Sequence, residues 1–156
     1  MNNARIHDRT LALSILGSVR EITMASIQRD GAPYATTVSF ASDGFSLYAA
    51  IGIDSQKAHN IRRNPRLSLT ANVDYKDWDS ILGLTMHANG IIVSDLDEMA
   101  CASALLLLRF PQYRRYADTS TIPWAGTVFI QIVPYSVTLI NYAQGFGHSA
   151  PVSIAA

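Results

Sequence analysis

The sequence has little charge, one cysteine and no long apolar run. Charged residues make up 15% of the 156 residues and the formal net charge is zero, which excludes the strongly basic field that nonspecific nucleic-acid binding requires. Cys101 is the only cysteine, so neither an intrachain disulfide nor a cysteine metal cluster can form. The longest apolar candidate, Ala102 to Leu108, is far too short to span a bilayer. We therefore expect no nucleic-acid partner and no membrane segment.

The N-terminal segment Met1 to Arg9 is polar and lacks the apolar centre of a signal peptide, so the expected compartment is the cytoplasm. The length suits one domain over residues 1–156, and the 49% of apolar residues are enough for one core. Low charge also fits a soluble protein that covers part of its surface in a subunit interface. The segment 143–156 is rich in Gly, Ala and Ser and is expected to be a flexible tail.

Apolar spacing predicts a mainly β chain with two or three helices. A helix is expected over residues 8–19 with Asp8 or Thr10 as its N-cap, a second over 54–63 after Asp54 or Ser55, and a third from Asp95 to about Leu108. The strands are expected at Ile22–Ile27, Tyr34–Ala41, Phe45–Ile51, Leu67–Val73, Leu82–Val93, Thr127–Val133 and Ser136–Tyr142. Asp-Gly turns predict that the first three strands form a meander. Gly90 is expected at a bulge or bend, and Pro134 is expected to separate the last two strands. Such strands favour a closed or half-open barrel.

The common catalytic motifs are absent: there is no Walker loop, GxGxxG, HExxH, CxxC or GxSxG. The most informative stretch is Ile53 to Arg66, a strand that leads into a helix N-terminus carrying Ser55 and Lys57. Free backbone N–H groups beside a hydroxyl and a lysine can bind a phosphate. Local physics alone favours the alternative, in which Ser55 only caps a surface helix and Lys57 is solvated.

A set of short segments occurs in a characteristic order: Pro33 to Phe40, Leu47 to Ala50, Asp54 to Ala58, and Asn64 to Arg66. Their order and spacing resemble the pyridoxamine-5′-phosphate-oxidase-like FMN-binding split barrels over roughly residues 10 to 142. The resemblance implies a six-stranded antiparallel split β-barrel of Greek-key type with short flanking helices. It also implies bound FMN, a small-molecule substrate, and a homodimer in which each site is built from two chains.

Carried over from the resemblance, the flavin ring would contact Thr36, Thr37, Val38 and Ser39, and the phosphate would be bound by Ser55 and Lys57. Thr85 would lie near the flavin, contributed by the partner subunit. Thr36 and Thr37 are also ordinary strand residues, which is the alternative explanation for them. The sequence departs from the family at Gln56, which replaces an arginine, and at Thr36 and Ala41, where the authentic oxidase has arginine and lysine. Compensation for the missing phosphate contacts by Arg62, Arg63 or Arg66 is one interpretation, and a solvated helix end is the alternative, which is favoured for Arg62 and Arg63. A C-terminal Trp- and Arg-bearing signature is also absent, which argues against a strict pyridoxamine-phosphate oxidase.

The segment Asn141 to His148 contains Gly-Phe-Gly and is similar to the same segment in split-barrel proteins of the haem-iron-utilisation type. That resemblance makes His148 a candidate axial ligand if haem is bound, because neutral imidazole is a common haem ligand. The alternative is a glycine-rich turn that ends in an exposed histidine. No other metal site is expected.

Three functions remain open from the sequence. The first is an FMN-dependent oxidoreductase, in which the flavin carries the chemistry and no catalytic residue can be named. The second is a haem-binding or haem-degrading split barrel, and the third is a non-enzymatic flavin-binding dimer. Arg109, Arg114 and Arg115 are interpreted as either the rim of an anionic-substrate site or a solvated turn, and Trp78 and Trp124 as pocket or interface aromatics.

Overall fold

A single antiparallel sheet dominates the computed structural model, which describes residues 2–155. Within that range the sheet has eight strands: β1 Glu21–Ile27, β2 Pro33–Ser39, β3 Ala41–Asp43, β4 Ser46–Gly52, β5 Arg66–Asn72, β6 Leu82–Ile92, β7 Thr127–Asn141 and β8 Ser149–Pro151. The helices are α1 Asn2–Ser18, α2 Gln56–Arg63, α3 Leu96–Arg109 and α4 Tyr113–Tyr116, with 3₁₀ turns at Trp78–Ser80 and Tyr142–Gln144. The predicted class, mainly β with helices, is confirmed, but the strand number of six is wrong. Met1 and Ala156, the ends of the predicted domain and tail, lie outside the described residues.

The strand order is β2-β1-β5-β6-β7-β4-β3, with β8 added to β7. In the described chain β2 and β3 lie at opposite edges of the sheet, although only the fully buried Phe40 separates them in sequence. The sheet must therefore curl until its two edges meet, which produces a split barrel. The predicted meander is wrong beyond the β1–β2 hairpin, because β4 pairs with β7 rather than with β2.

The barrel interior is filled by the alternate residues of each strand. On β1 the buried residues include Ile22 and Met24, and α1 adds Ile15 and Leu16 to the same core. Each such side chain contributes about 1.5–3 kcal/mol through burial. Gly90 leaves room for Leu67 of β5 and Ile61 of α2, since a Cβ there would lie 2.8 Å from Leu67 Cδ1 and 3.3 Å from Ile61 Cγ2.

The bulge lies between His87 and Ala88 rather than at Gly90, where a bulge or bend was predicted, and it explains why β7 is one strand. The register of β6 and β7 shifts between His87 and Ala88, and Ala88 is paired with Pro134. A bulge tolerates a proline because the local ladder is already interrupted. Pro134 therefore does not divide β7, contrary to the prediction of two strands.

Both terminal segments contain more regular secondary structure than the sequence predicts. Helix α1 begins at Asn2, so Asp8 and Thr10 lie inside it, and the Thr10 hydroxyl donates to the Ile6 carbonyl at 2.9 Å instead of capping. In the tail, β8 pairs with β7 and Val152 is buried. Within residues 2–155 no helix is both long and apolar enough to cross a bilayer.

A second, smaller core lies between α3 and the β3–β4 edge. Its centre is Trp124, which is 1% exposed and donates from Nε1 to Ser103 Oγ at 2.9 Å. Phe129 and Leu106 are buried around it. Trp124 is therefore a core residue in this chain, not a pocket or interface aromatic.

Candidate functional site

The N-terminus of α2 combines a hydroxyl, a lysine and free backbone donors. Ser55 is the N-cap, as predicted, and its Oγ accepts from the Ala58 N–H at 3.3 Å. The first N–H groups of a helix, here those of Gln56 and Lys57, have no intrahelical acceptor. Lys57 is half-buried. Because the positive end of the helix dipole adds to these donors, this corner can bind a phosphate group.

A buried amide fixes α2 against β1. Asn60 is 0% exposed. Its Nδ2 donates to Ser26 Oγ at 2.9 Å, and its Oδ1 accepts from Gln56 Nε2 at 2.8 Å and from Arg63 Nη2 at 3.2 Å. The sequence analysis missed this residue. The available signal was an asparagine between Ala58 and Ile61, which both face the core.

The four predicted ring contacts on β2 do not share one face. Thr36 and Val38 are paired with the buried residues Met24 and Ile22, so they face the barrel interior. Thr37 and Ser39 alternate with them and face the other side of the sheet.

The Thr36 hydroxyl is buried and has no hydrogen-bond partner among the described residues. A buried unpaired hydroxyl is costly and rare in native proteins. Because β2 is an edge strand within residues 2–155, half of its backbone N–H and C=O groups are also free. This part of β2 therefore has unmet hydrogen-bonding capacity.

Thr85 lies in a row of threonines on the outward face of the sheet. The row crosses five adjacent strands through Thr37, Thr23, Thr70, Thr85 and Thr138. A parallel row consists of Ala35, Ala25, Ser68, His87 and Ser136. Thr85 is three strand spacings from β2, roughly 14 Å, so within one chain it does not join the β2 residues. We call these two rows the small-residue face.

His148 lies beside an exposed aromatic cluster. It is exposed, and its backbone is tied down by bonds from its N–H to the Gly145 carbonyl and from the Asn141 N–H to its own carbonyl, both 3.1 Å. The Trp78 and Phe146 rings stack at 5.7 Å and are 62% and 79% exposed. Among residues 2–155 no three His, Cys, Asp or Glu side chains are grouped as a metal site.

Arg109 does not line a substrate site. Its guanidinium donates to the carbonyls of Leu16, Gly17 and Val19 at the end of α1. It also lies 4.8 Å from the centre of the Phe40 ring. Burial, followed by the nearby Arg20, lowers its pKa. Arg109 therefore holds α1 against the barrel, whereas Arg114 and Arg115 are exposed on α4.

A polar cluster joins β4, β7 and α3. The Tyr48 hydroxyl donates to Glu98 Oε1, and Gln131 Nε2 donates to the Tyr48 oxygen at 3.2 Å and to Ser46 Oγ at 3.0 Å. Burial, followed by the hydrogen bond to Glu98, raises the pKa of Tyr48 to about 12. The sequence analysis placed this part of the chain in its third helix and missed the cluster.

Known structures share this fold. The haem-binding protein from Mycobacterium smegmatis superposes with a TM-score of 0.76 at 19% identity, over 97% of this chain and 58% of that chain. A putative pyridoxamine 5′-phosphate oxidase from Listeria innocua gives 0.68 at 22% identity, over 85% and 98%. The haem storage protein HutZ from Vibrio cholerae gives 0.65 at 18% identity, over 78% and 85%. The chain thus spans little more than half of the mycobacterial protein.

No curated protein sequence matches this chain. The profile of the family described as pyridoxamine 5′-phosphate oxidase matches residues 13–122. That match includes β1 to β6, α2 and α3, and it contains Thr36, Ser55 and Lys57. The chain therefore belongs to the pyridoxamine 5′-phosphate oxidase family.

Proposed function

We propose that this chain binds FMN and acts, as a homodimer, as a flavin-dependent oxidoreductase on a small molecule. The observation that carries the proposal is the unpaired Thr36 hydroxyl on the edge strand β2, in a chain whose helix α2 presents Ser55, Lys57 and free N–H groups. The C-terminal end of α2 lies at the β1–β2 hairpin, because Arg63 Nη2 donates to the Ile27 carbonyl, 2.8 Å away.

The residues present fit FMN. The Ser55 hydroxyl, the Lys57 ammonium and the first N–H groups of α2 would hold the phosphate. The pyrimidine part of a flavin carries both donors and acceptors, which the Thr36 hydroxyl and the free backbone edge of β2 can pair. From Pro33 to Ser39 the strand extends about 20 Å, which leaves room for the ring beyond the phosphate.

Bound FMN would supply the hydride or electron transfer, which is why the chain needs no nucleophile or acid–base pair of its own. The chain's own residues would bind the FMN and orient it. Lys57 and Ser55 fix one end of the ligand, and β2 fixes the other with groups that are already held by the sheet. Preformed hydrogen-bonding groups of this kind reduce the ordering cost of binding.

The homodimer is supported by the small-residue face. Small, weakly charged side chains on five strands let a second sheet approach closely. The exposed Tyr135 stacks on His87 of this face with 6.4 Å between the ring centres, and such aromatics are typical of interfaces. A partner docked there would bring its own Thr85 to a shared interface, as the family resemblance implies.

Titration of the purified protein with FMN tests the proposal. We expect flavin fluorescence to be quenched and the melting temperature to rise with FMN concentration. Saturating FMN that gives neither change rejects the proposed cofactor. Turnover of a reduced nicotinamide with an artificial electron acceptor separates an oxidoreductase from a non-enzymatic flavin-binding dimer, which binds FMN without turnover.

A second candidate is haem binding. It is favoured by two structural neighbours that are described as haem-binding and haem-storage proteins, and by the exposed His148 next to the stacked Trp78 and Phe146. Titration with hemin tests it. We expect a shifted Soret band in wild type that His148→Ala abolishes, and a shift that survives this substitution removes His148 as the ligand.

A further inference from the structure

A basic basin of about 560 Å³ opens on the side of α2 that faces the β1–β2 hairpin. Its lining residues are Arg29, Gln56, His59, Arg62 and Arg63. Gln56, His59 and Arg63 recur every three or four residues and therefore lie on one helix face. Arg29 reaches the basin from the hairpin. Lys57 is not part of the lining, because its position in the helix turns it to another side.

The basin concentrates positive charge in a chain whose net charge is zero. Three of its 12 basic side chains and one of its four histidines line this one surface. None of these lining residues is acidic. The nearest acids along the chain are Asp30 and Asp54, and Asp30 uses Oδ1 to accept from the Ala32 N–H at 3.0 Å. A concave surface with one sign of charge attracts ligands of the opposite sign.

Two of the arginines are held in place before any ligand arrives. Arg62 Nη1 donates to the Ile53 carbonyl at 2.9 Å. Arg63 Nη2 donates to the Ile27 carbonyl and to the Oδ1 of the fully buried Asn60. A guanidinium has five N–H donors, so each arginine keeps others free for a ligand. The conformational entropy of these long side chains is therefore lost on folding and not on ligand binding.

We propose that this basin binds the phosphate groups of a second ligand, one that carries at least two negative charges. Arginine forks match the oxygens of phosphate better than any other anion-binding side chain does, and three arginines around one basin favour a multiply charged group. The flavin phosphate is assigned to Ser55, Lys57 and the first backbone N–H groups of α2, whereas the basin takes its charge from the side chains of Arg29, Arg62 and Arg63. The basin is therefore a separate site, and it does not depend on FMN binding.

Calorimetric titration of flavin-free protein with inorganic pyrophosphate and with orthophosphate tests the basin. We expect pyrophosphate to bind more tightly than orthophosphate, and Arg29→Gln and Arg62→Gln each to raise its Kd by about tenfold. Arg5→Gln makes the same charge change on the exposed side of α1 and is the matched control. Arg29 is exposed in the hairpin turn, so its removal leaves the fold intact. Absence of pyrophosphate binding, or equal losses in the control, overturns the proposal.

A second titration separates this site from the flavin site. Lys57→Ala should leave the pyrophosphate Kd unchanged, and Arg29→Gln should leave the FMN-to-riboflavin affinity ratio unchanged. If FMN and pyrophosphate exclude one another, the basin is the flavin phosphate site and the inference is wrong. If pyrophosphate binds through the arginines but FMN never binds, the proposed cofactor fails and the basin stands.

Discussion

Lys57 is the one cation that the proposed flavin phosphate site contains. Gln56 and Thr36 are uncharged where family members of the resembled type have arginine. We therefore expect Lys57→Ala to raise the Kd for FMN by about one to two orders of magnitude, since a charge-assisted hydrogen bond contributes about 1.5–3 kcal/mol. Riboflavin, which has no phosphate, should be almost unaffected. Paired fluorescence titrations of both ligands measure the difference.

The other lysine of the chain supplies the control for this prediction. Lys76 is exposed in the loop between β5 and β6, so Lys76→Ala removes the same charge without touching α2. It should leave both affinities unchanged. Equal losses of FMN and riboflavin in Lys57→Ala would show that Lys57 is a solvated helix residue.

Thr36 gives a prediction in which stability and binding move in opposite directions. Its buried Oγ1 has no partner among the described residues, and valine has the same shape without the hydroxyl. Thr36→Val should therefore raise the free energy of unfolding of the ligand-free protein by about 1 kcal/mol. FMN affinity should fall, because the hydroxyl is assigned to the flavin.

Urea unfolding with and without FMN measures both effects of Thr36→Val. The control is Thr37→Val on the exposed outward side of the same strand, which should leave the ligand-free stability unchanged. A destabilised Thr36→Val protein would mean that the hydroxyl already has a partner. Unchanged FMN affinity would remove Thr36 from the proposed site.

Among the elements, the first turn of α3 is attached to the sheet through Tyr48 and Glu98. Burial and Glu98 raise the pKa of Tyr48 to about 12, above the value of about 10 for an unfolded chain. The folded protein thus holds this proton more tightly. The resulting stability is fully present below pH 10 and is lost as the pH rises toward 12.

Equilibrium unfolding between pH 9 and 12, approximately the range set by these two pKa values, measures this loss. Burial also raises the pKa of Tyr113, so the informative quantity is the difference between wild type and Tyr48→Phe. We expect wild type to lose more stability than Tyr48→Phe over this range, while Tyr135→Phe, altered at an exposed tyrosine, follows wild type. Parallel curves for wild type and Tyr48→Phe would contradict the assignment.

Local sequence signals predicted the helices and strands. The errors arose where pairing between strands distant in the sequence determines the structure. Ser55, one of the two predicted caps of α2, is confirmed, and the N-cap of α3 is Asp95, at the predicted start of that helix, because an N-cap acts within its own turn. The sequence could not show that β4 pairs with β7, nor that a bulge lets β7 continue through Pro134. Strand pairing over such sequence separations leaves no local pattern.

The candidate site also combines residues that local sequence signals identify with residues that only the tertiary structure reveals. Ser55 and Lys57 could be identified from a helix start and a family resemblance. The unpaired state of Thr36 and the burial of Asn60 depend on neighbours from other elements. The basic basin also depends on tertiary structure, because Arg29 and Arg62 are 33 positions apart in the sequence and meet only when α2 packs beside the hairpin.

For the molecule as a whole, the small-residue face determines how two copies would meet. Four strand spacings separate Thr37 on β2 from Thr138 on β7, so the face is roughly 19 Å wide. Thr70 lies at its centre and is half-buried. A long charged side chain there would hold two sheets apart and leave a charge without water around it.

We therefore expect wild type to sediment as a dimer at micromolar concentration and Thr70→Arg to sediment as a folded monomer. Because each proposed site uses Thr85 of the partner, Thr70→Arg should also lose FMN affinity although it changes no proposed ligand-binding residue. Ser14→Arg adds the same charge on the exposed side of α1 and should remain a dimer with normal FMN binding. A wild-type monomer that binds FMN would refute both the dimer and the shared site. A Thr70→Arg dimer would refute only the choice of face, because the interface would then have to lie elsewhere on the molecule.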